Sequence, residues 1–160
     1  MQQVQERKAT GASSVDVETR LQVLMVGLGN EIFAIETDMV REIIDPVPVT
    51  RVAGARAFLP ALINVRGNVI PLADLRLRFG MPAAAATADT RIVVVEVEID
   101  GDPVTFGIIA DKVYEVTELS SRNTQQTPRL GLHWKPEFIR LITKWNDEFV
   151  IVPEIARIMN

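Results

Sequence analysis

The chain has 160 residues, of which 48% are hydrophobic and only 6% aromatic, enough aliphatic material for one compact domain or for two small barrels that share a core. It has no cysteine, and 17 lysines and arginines against 21 aspartates and glutamates give a net charge of −4 at pH 7. The absence of cysteine excludes disulfides, thiolate nucleophiles and cysteine-ligated metal sites and is typical of a cytosolic protein, while the acidic balance argues against a nucleic-acid binder.

The N-terminal segment differs in composition from the rest of the chain. It lacks the apolar stretch of a signal peptide, and its Gln, Ser, Thr and Gly content predicts a mobile tail over residues 1–19. The folded region is then expected over residues 20–160. No apolar run there approaches the roughly 18 residues of a membrane-spanning helix, so direct membrane insertion is not expected.

Short strands separated by turn signals follow the tail, which is the pattern of an all-β barrel or sandwich. LQVLMVGL and EIFAIE read as strands joined by a tight turn at Gly29 and Asn30. Thr37 or Asp38 is expected to cap a helical turn over residues 39–41. The first part of the chain therefore begins with a hairpin and a short helical turn.

A second hairpin and a helix are predicted further along. The hairpin turn is placed at Gly67 and Asn68, and Asp74 is expected to cap the short helix LRLRF, which Gly80 ends. MPAAAATAD, with its small residues, then reads as an internal linker.

The second part of the chain repeats this order. TRIVVVEVE and VTFGIIA read as a hairpin across DGD, and FIRLITKW and EFVIV as another across Asn146 and Asp147. Pro153 is expected in the first turn of a closing helix. Because RGNVIPLADLRLRF and WNDEFVIVPEIARI share the order turn, strand, acidic residue and helix, two similar halves are predicted.

Residues suited to catalysis are few. His133 is the only histidine and stands beside Trp134, so it is interpreted as a surface or partly packed residue, and Glu96 and Glu98 as one solvated sheet face. No nucleophile motif, phosphate loop or metal-ligand spacing is present. The sequence therefore predicts a non-enzymatic protein without a cofactor or metal, whose function is contact with partners.

Arg66 is the residue that most needs an explanation, because it lies within the largely apolar stretch LINVRGNVIPLA. An unpaired buried guanidinium would be costly. The arginine either pairs with an internal carboxylate, Glu42 or Asp74, or faces a partner that supplies the opposite charge. The two interpretations are compatible if the internal carboxylate holds Arg66 at the wall of a groove.

Several stretches together resemble the CheW family of chemotaxis adaptor domains. LINVRGNVIPLADLRLRFG matches the family pattern at Asn64, Arg66, Gly67, Pro71, Asp74, Leu75 and Arg76. FAIETDMVREII resembles the preceding segment, with Val40, Glu42 and Ile43, and FGIIADKVYEV a later one, with Gly107, Asp111 and Val113. The resemblance covers about residues 21–159.

The resemblance implies an all-β fold of two five-stranded SH3-like barrels packed side by side, with short helices that include a C-terminal one. The barrels are expected at about residues 20–82 and 83–160, with strand exchange between the halves allowed. It also implies an adaptor that couples the cytoplasmic signalling tip of a chemoreceptor to the regulatory domain of a histidine kinase. Such an adaptor is cytoplasmic, associates with membrane-bound arrays through its partners, and is expected to be a monomer in dilute solution.

Site residues follow from the resemblance by position. The receptor groove between the barrels is assigned to Val40, Glu42, Arg66 and Val113. Contact with the kinase at the barrel ends is assigned to Val49, Thr50 and Val69. Three residues are given turn or cap roles, namely Gly67, Asp74 and Gly107.

Departures from the family pattern leave alternatives open. Ala61 and Leu141 stand where the family usually has glycine, and Pro153 where an aliphatic residue is more usual. Side chains that replace glycine are expected to fill space near a barrel surface and to alter partner geometry. The alternatives are a divergent paralogue that serves a pilus or another chemosensory pathway, or competes with the main adaptor, and, more remotely, a small-barrel nucleic-acid binder.

Overall fold

The computed structural model describes residues 19–123 and 135–160. The predicted mobile tail lies outside these residues except for Thr19, and His133 and Trp134 also lie outside them. Within the described ranges no helix is long and apolar enough to cross a membrane, and no group of histidine, aspartate or glutamate side chains is placed to hold a metal ion.

Eleven strands and two short helices make up the described part of the chain. The strands are β1 (Arg20–Leu28), β2 (Glu31–Glu36), β3 (Val40–Ile44), β4 (Val49–Arg51), β5 (Ala61–Val65), β6 (Asn68–Ala73), β7 (Arg91–Ile99), β8 (Asp102–Ala110), β9 (Lys112–Ser120), β10 (Ile139–Trp145) and β11 (Glu148–Pro153). The helices are α1 (Leu75–Arg78) and α2 (Ile155–Met159), and 3-10 turns lie at Ser121–Asn123 and Pro136–Phe138.

The strands form two curled sheets, which confirms the all-β, SH3-like prediction. Sheet 1 has the order β10-β11-β2-β1-β9, and sheet 2 has the order β3-β7-β8-β6-β5-β4. Sheet 2 therefore has six strands where five were expected, because the three-residue β4 adds to its edge. Each sheet takes strands from both sides of residue 82, and the division there into two folding units stays a prediction.

Strands buried on both faces explain the long apolar runs in the sequence. In β1, Val23 and Met25 lie in a hydrophobic cluster made only by sheet 1, while Leu24 and Val26 lie in the largest cluster, to which both sheets contribute. The side chains of β7 alternate in the same way between the largest cluster and a third cluster made by sheet 2. Alternate side chains thus hold each sheet together and join the two sheets.

The predicted repeat is present in the structure. β6 with α1, and β11 with α2, each form a strand that ends in a short helix, and each strand pairs parallel with a strand of another hairpin. Asp74 donates its backbone N–H to the carbonyl of Phe58, and Glu154 donates its own to the carbonyl of Phe138, both at 2.8 Å. The two halves therefore start their helices with the same tertiary hydrogen bond.

The predicted helical turn over residues 39–41 is wrong. A turn occupies residues 37–39, and Val40 and Arg41 already belong to β3. The strand is favoured because β3 pairs with β7, where the N–H of Glu96 donates to the carbonyl of Met39 at 2.9 Å. A capping side chain does not offset a whole ladder of interstrand hydrogen bonds.

Candidate functional site

The turn between β5 and β6 places Arg66 at the tip of a hairpin. Arg66 and Gly67 occupy the turn with φ angles of 54° and 86°, one residue earlier than predicted, and the N–H of Gly67 donates to Asn64 Oδ1 at 2.8 Å. Turns of this kind favour asparagine, aspartate or glycine. The corresponding turn between β10 and β11 follows that rule with Asn146 and Asp147.

The left-handed conformation of Arg66 has an energetic cost. An L-residue with a long side chain in this region loses on the order of 1 kcal/mol relative to the right-handed region. An arginine in a turn that asparagine would fit better is therefore not explained by the stability of the hairpin.

Arg66 pairs with Glu42 of β3, which is one of the two carboxylates considered for it. Its Nε lies 3.4 Å from Glu42 Oε1, and the exposed fractions of the two side chains are 79% and 28%. A pair so exposed contributes little stability. Both side chains line a depression of about 160 Å³, so Arg66 is held at a surface with most of its guanidinium in solvent.

A β-bulge separates Val40, another predicted groove residue, from this pair. Val40 pairs with Val95 and Glu42 with Val94, with a shift of register between them, so residues two apart on β3 do not share a face. Val40 packs against the largest cluster, while Glu42 lines the depression beside Val94.

Val113 also packs against the largest cluster, from β9 in sheet 1. The structure therefore brings Glu42 together with Arg66, and it separately places Val40 and Val113 on one apolar cluster shared by the two sheets.

The three residues assigned to the kinase lie around the β4–β5–β6 end of sheet 2. Val49 and Val69 are 46% and 63% exposed, and Thr50 is exposed as well. Thr50 pairs across β5 and Val69 pairs with Asn64, whereas Val49 lines a cavity of about 160 Å³ beside β4. β4 is the last strand of its sheet.

Two of the three residues given turn or cap roles lie at such positions in the structure. Asp74 precedes α1, and its side chain accepts a hydrogen bond from the N–H of Arg76 at 3.1 Å, while Gly67 has the positive φ expected. Gly107 is neither a turn nor a cap. It lies in the middle of β8, and a Cβ there would come within 2.9 Å of Ile92 Cγ2. It is needed for space.

The ion pair between Arg76 and Asp111 was not predicted from the sequence. Arg76 lies in α1, which follows sheet 2, and Asp111 lies between β8 and β9, where it also accepts a hydrogen bond from the N–H of Gly29 at 2.7 Å. The exposed fractions of the Arg76 and Asp111 side chains are 4% and 34%. The pair joins the two sheets where they meet. The sequence LRLR does not predict this burial, because the charged Arg76 is buried while the neighbouring leucine, Leu77, is exposed.

Glu31 lines a cavity of about 320 Å³ on one side of Arg76, and burial raises the pKa of its carboxyl above the ordinary value. A raised folded-state pKa contributes stability below the unfolded pKa of about 4.3, and that contribution is lost as the pH rises through the folded value. We therefore expect Glu31→Gln to be more stable than the wild type at pH 7, with the difference vanishing below about pH 4.

Urea unfolding at pH 7 and pH 4 measures this difference. Glu98→Gln removes the same charge from an exposed position of β7 and controls for net charge. A Glu31→Gln variant that is less stable than the wild type at pH 7 would contradict the expectation.

Of the two residues expected to fill space near a barrel surface, Ala61 is buried and Leu141 is half-buried, so the expectation is wrong for Ala61. Ala61 belongs to the sheet 2 cluster, and Leu141 packs on the sheet 1 cluster. Pro153 is buried at the end of β11. Their side chains change interior packing.

Two curled β-sheets with a shared core and short helices place the chain in the class of two-domain SH3-like β proteins. The family model of the CheW-like domain matches residues 22–160. The chain belongs to the CheW family.

Relatives of known name agree with this assignment. The chain is 30% identical over 155 residues to the chemotaxis protein CheW of Helicobacter pylori, covering 97% of this chain and 91% of that one. It is 28% identical over 134 residues to the CheW of Rhizobium meliloti, covering 84% of each. The crystal structure of the scaffolding protein TtCheW from Thermoanaerobacter tengcongensis superposes with a TM-score of 0.76 at 26% identity over 89% of each chain.

Proposed function

We propose that the chain is a cytoplasmic adaptor that couples the signalling tip of a chemoreceptor to the regulatory domain of a histidine kinase. Membership of a family of chemotaxis adaptors supports this proposal. The observation that carries it is Arg66, an exposed arginine in a left-handed turn position. Asparagine at this position would make the hairpin more stable. A monomeric state in dilute solution belongs to the same proposal.

Recognition would be non-covalent. A planar guanidinium binds carboxylate or carbonyl oxygens of the receptor tip in a forked manner, and Glu42 orients it through the 3.4 Å contact. Val40 and Val113 offer apolar contact where the two sheets meet. Partner binding would then combine one oriented cation with an apolar surface.

The kinase domain would bind at the β4 end of sheet 2. Val49, Thr50 and Val69 present exposed side chains there, and the free edge of β4 offers backbone groups for pairing. Two separate surfaces allow both partners to bind at once, and repetition in an array raises the effective affinity without new contacts.

Replacement of Arg66 separates binding from folding. We expect Arg66→Asn to be at least as stable as the wild type, because asparagine fits the turn, and to bind the receptor tip about tenfold or more weakly, the range of a lost charged hydrogen bond. Isothermal titration with the receptor tip and the kinase regulatory domain of the same organism measures both partners, and urea unfolding measures stability.

Arg91→Asn is the matched control, because Arg91 Nε also lies 3.4 Å from a carboxylate, that of Asp45, at an ordinary strand position. Unchanged receptor binding by Arg66→Asn would remove Arg66 from the site. If the folded wild type bound neither partner, a paralogue that serves a pilus or another chemosensory pathway would become the better proposal.

A further inference from the structure

A cavity of about 520 Å³ lies beside α1, and we call it the basic cavity because two arginines line it. The lining residues are Arg56, Ala57, Phe58, Leu77, Arg78 and Asn160. Within residues 19–123 and 135–160, no carboxylate lies within ion-pair distance of the guanidinium of Arg56 or Arg78. In a chain of net charge −4, two guanidinium groups without a carboxylate at ion-pair distance thus line one cavity.

The guanidinium of Arg78 is held between two aromatic rings. Its central carbon lies 4.7 Å from the ring centroid of Phe58 and 4.9 Å from that of Phe138. Both phenylalanines are buried in the largest hydrophobic cluster, so their rings are immobile and hold the guanidinium in one orientation. A cation already oriented in this way loses little conformational entropy when it binds an anion.

The packing of α1 does not by itself explain this arginine. Within the part of the chain that the structure describes, Arg78 Nε is buried and has no hydrogen-bond partner, and an unsatisfied buried donor is destabilising. The corresponding residue of α2, also the fourth of its helix, is Ile158, which is 0% exposed. The two positions differ in their surroundings, since Ile158 is fully buried whereas Arg78 is half-buried at the wall of the basic cavity.

We propose that the basic cavity binds the carboxylate side chains of an acidic peptide segment of a partner protein. Arg78 supplies an oriented guanidinium that can donate two parallel hydrogen bonds to a carboxylate. Arg56 supplies a second cation from the neighbouring loop. Leu77, 43% exposed on the same wall, offers an apolar contact that a peptide covers and an inorganic anion does not. The proposal needs only an acidic partner segment and does not depend on the assignment of the receptor groove at Arg66.

Fluorescence anisotropy tests the proposal with a labelled peptide of four glutamates around one leucine. A matched peptide with glutamines in place of the glutamates, and inorganic phosphate as competitor, separate carboxylate recognition from general anion binding. We expect the glutamate peptide to bind, the glutamine peptide not to bind, and affinity to fall as salt rises. Phosphate is expected to compete only at concentrations far above those of the peptide.

Variants then locate the binding site. Arg78→Gln should weaken the glutamate peptide about tenfold or more, and Arg56→Gln less, while Lys112→Gln should not change it. Lys112 is the matched control because its ammonium also lies over one aromatic ring, that of Tyr114, in sheet 1. Arg56 lies on an exposed loop, so its variant keeps the test open if Arg78→Gln fails to fold.

Three results would overturn the proposal. The first is equal affinity for the glutamate and glutamine peptides, or binding of neither. The second is competition by phosphate at the same concentration as the peptide. The third is unchanged peptide binding in a folded Arg56→Gln, Arg78→Gln double variant.

Discussion

Asp111→Ala is expected to destabilise the protein by about 3–5 kcal/mol, the range for breaking a buried ion pair so that one charge is left uncompensated. Arg76, the partner, has a side chain that is 4% exposed and is therefore largely shielded from water. The substitution also removes the acceptor of the Gly29 N–H. The large effect arises because one carboxylate serves α1 and the β1–β2 turn together.

The reverse substitution is expected to cost less. Arg76→Met keeps an extended apolar side chain in place, and the Asp111 carboxylate left behind is 34% exposed and can be hydrated. We expect a loss of about 1–2 kcal/mol, the range for an ordinary side-chain substitution. The double variant should be more stable than Asp111→Ala alone, because it contains no buried unpaired cation.

Urea unfolding of the wild type, the two single variants and the double variant completes a thermodynamic cycle. Equal losses for both single variants, or a double variant that is the least stable of the three, would show that the pair does not behave as a buried ion pair. Arg20→Met is a matched control, since Arg20 pairs with Glu118 at 3.5 Å with both side chains well exposed, and it should change stability by less than about 1 kcal/mol.

Gly107→Ala is the second substitution with a large expected effect. A Cβ at this position would lie 2.9 Å from Ile92 Cγ2, 3.2 Å from Ile63 Cδ1 and 3.3 Å from Leu72 Cδ1. Ile92 is β-branched and buried, so its methyl cannot turn away cheaply. We expect a net loss of about 1–3 kcal/mol from overpacking, and a larger one for Gly107→Val.

Thermal unfolding checks this expectation, because 1 kcal/mol corresponds to about 2–4 °C for a chain of this length. Gly27→Ala is the matched control in β1: the nearest atoms to its added Cβ belong to the ring of Tyr114, at 3.2 Å, and that side chain is partly exposed and can move. It should stay close to the wild type. A Gly107→Ala variant as stable as Gly27→Ala would contradict the expectation and show that the side chains around Gly107 can shift to make room for a methyl group.

Most of the local structure could be predicted from the sequence. Alternating and β-branched runs identified the strands, glycine and asparagine dipeptides identified the hairpins, and Asp74 was assigned correctly as a helix cap. The exceptions were a helical turn over residues 39–41, a hairpin turn placed one residue late, and Pro153, which was predicted in the first turn of the closing helix but is the last residue of β11. In each case pairing with a neighbouring strand favoured the observed conformation, and single-sequence propensity does not contain that information.

The candidate site was predictable only in part. Arg66 stood out because a charged residue in an apolar run needs a partner, and the structure supplies Glu42. Val40 and Glu42 are two residues apart and were expected on one groove, but a bulge against β7 turns them to different faces. The functional assignment of these residues stays a prediction.

The sequence by itself determined the family, the strand-rich class, the repeat of turn, strand and helix, and the position of Arg66 in a hairpin, because each depends on residues close together in the chain. Only the tertiary structure decided which strands share a sheet, that Asp111 pairs with Arg76, that Gly107 is required for space, and that Arg78 lies between Phe58 and Phe138. These are contacts between residues distant in sequence, and their energy depends on burial and geometry that exist only once the sheets have packed together.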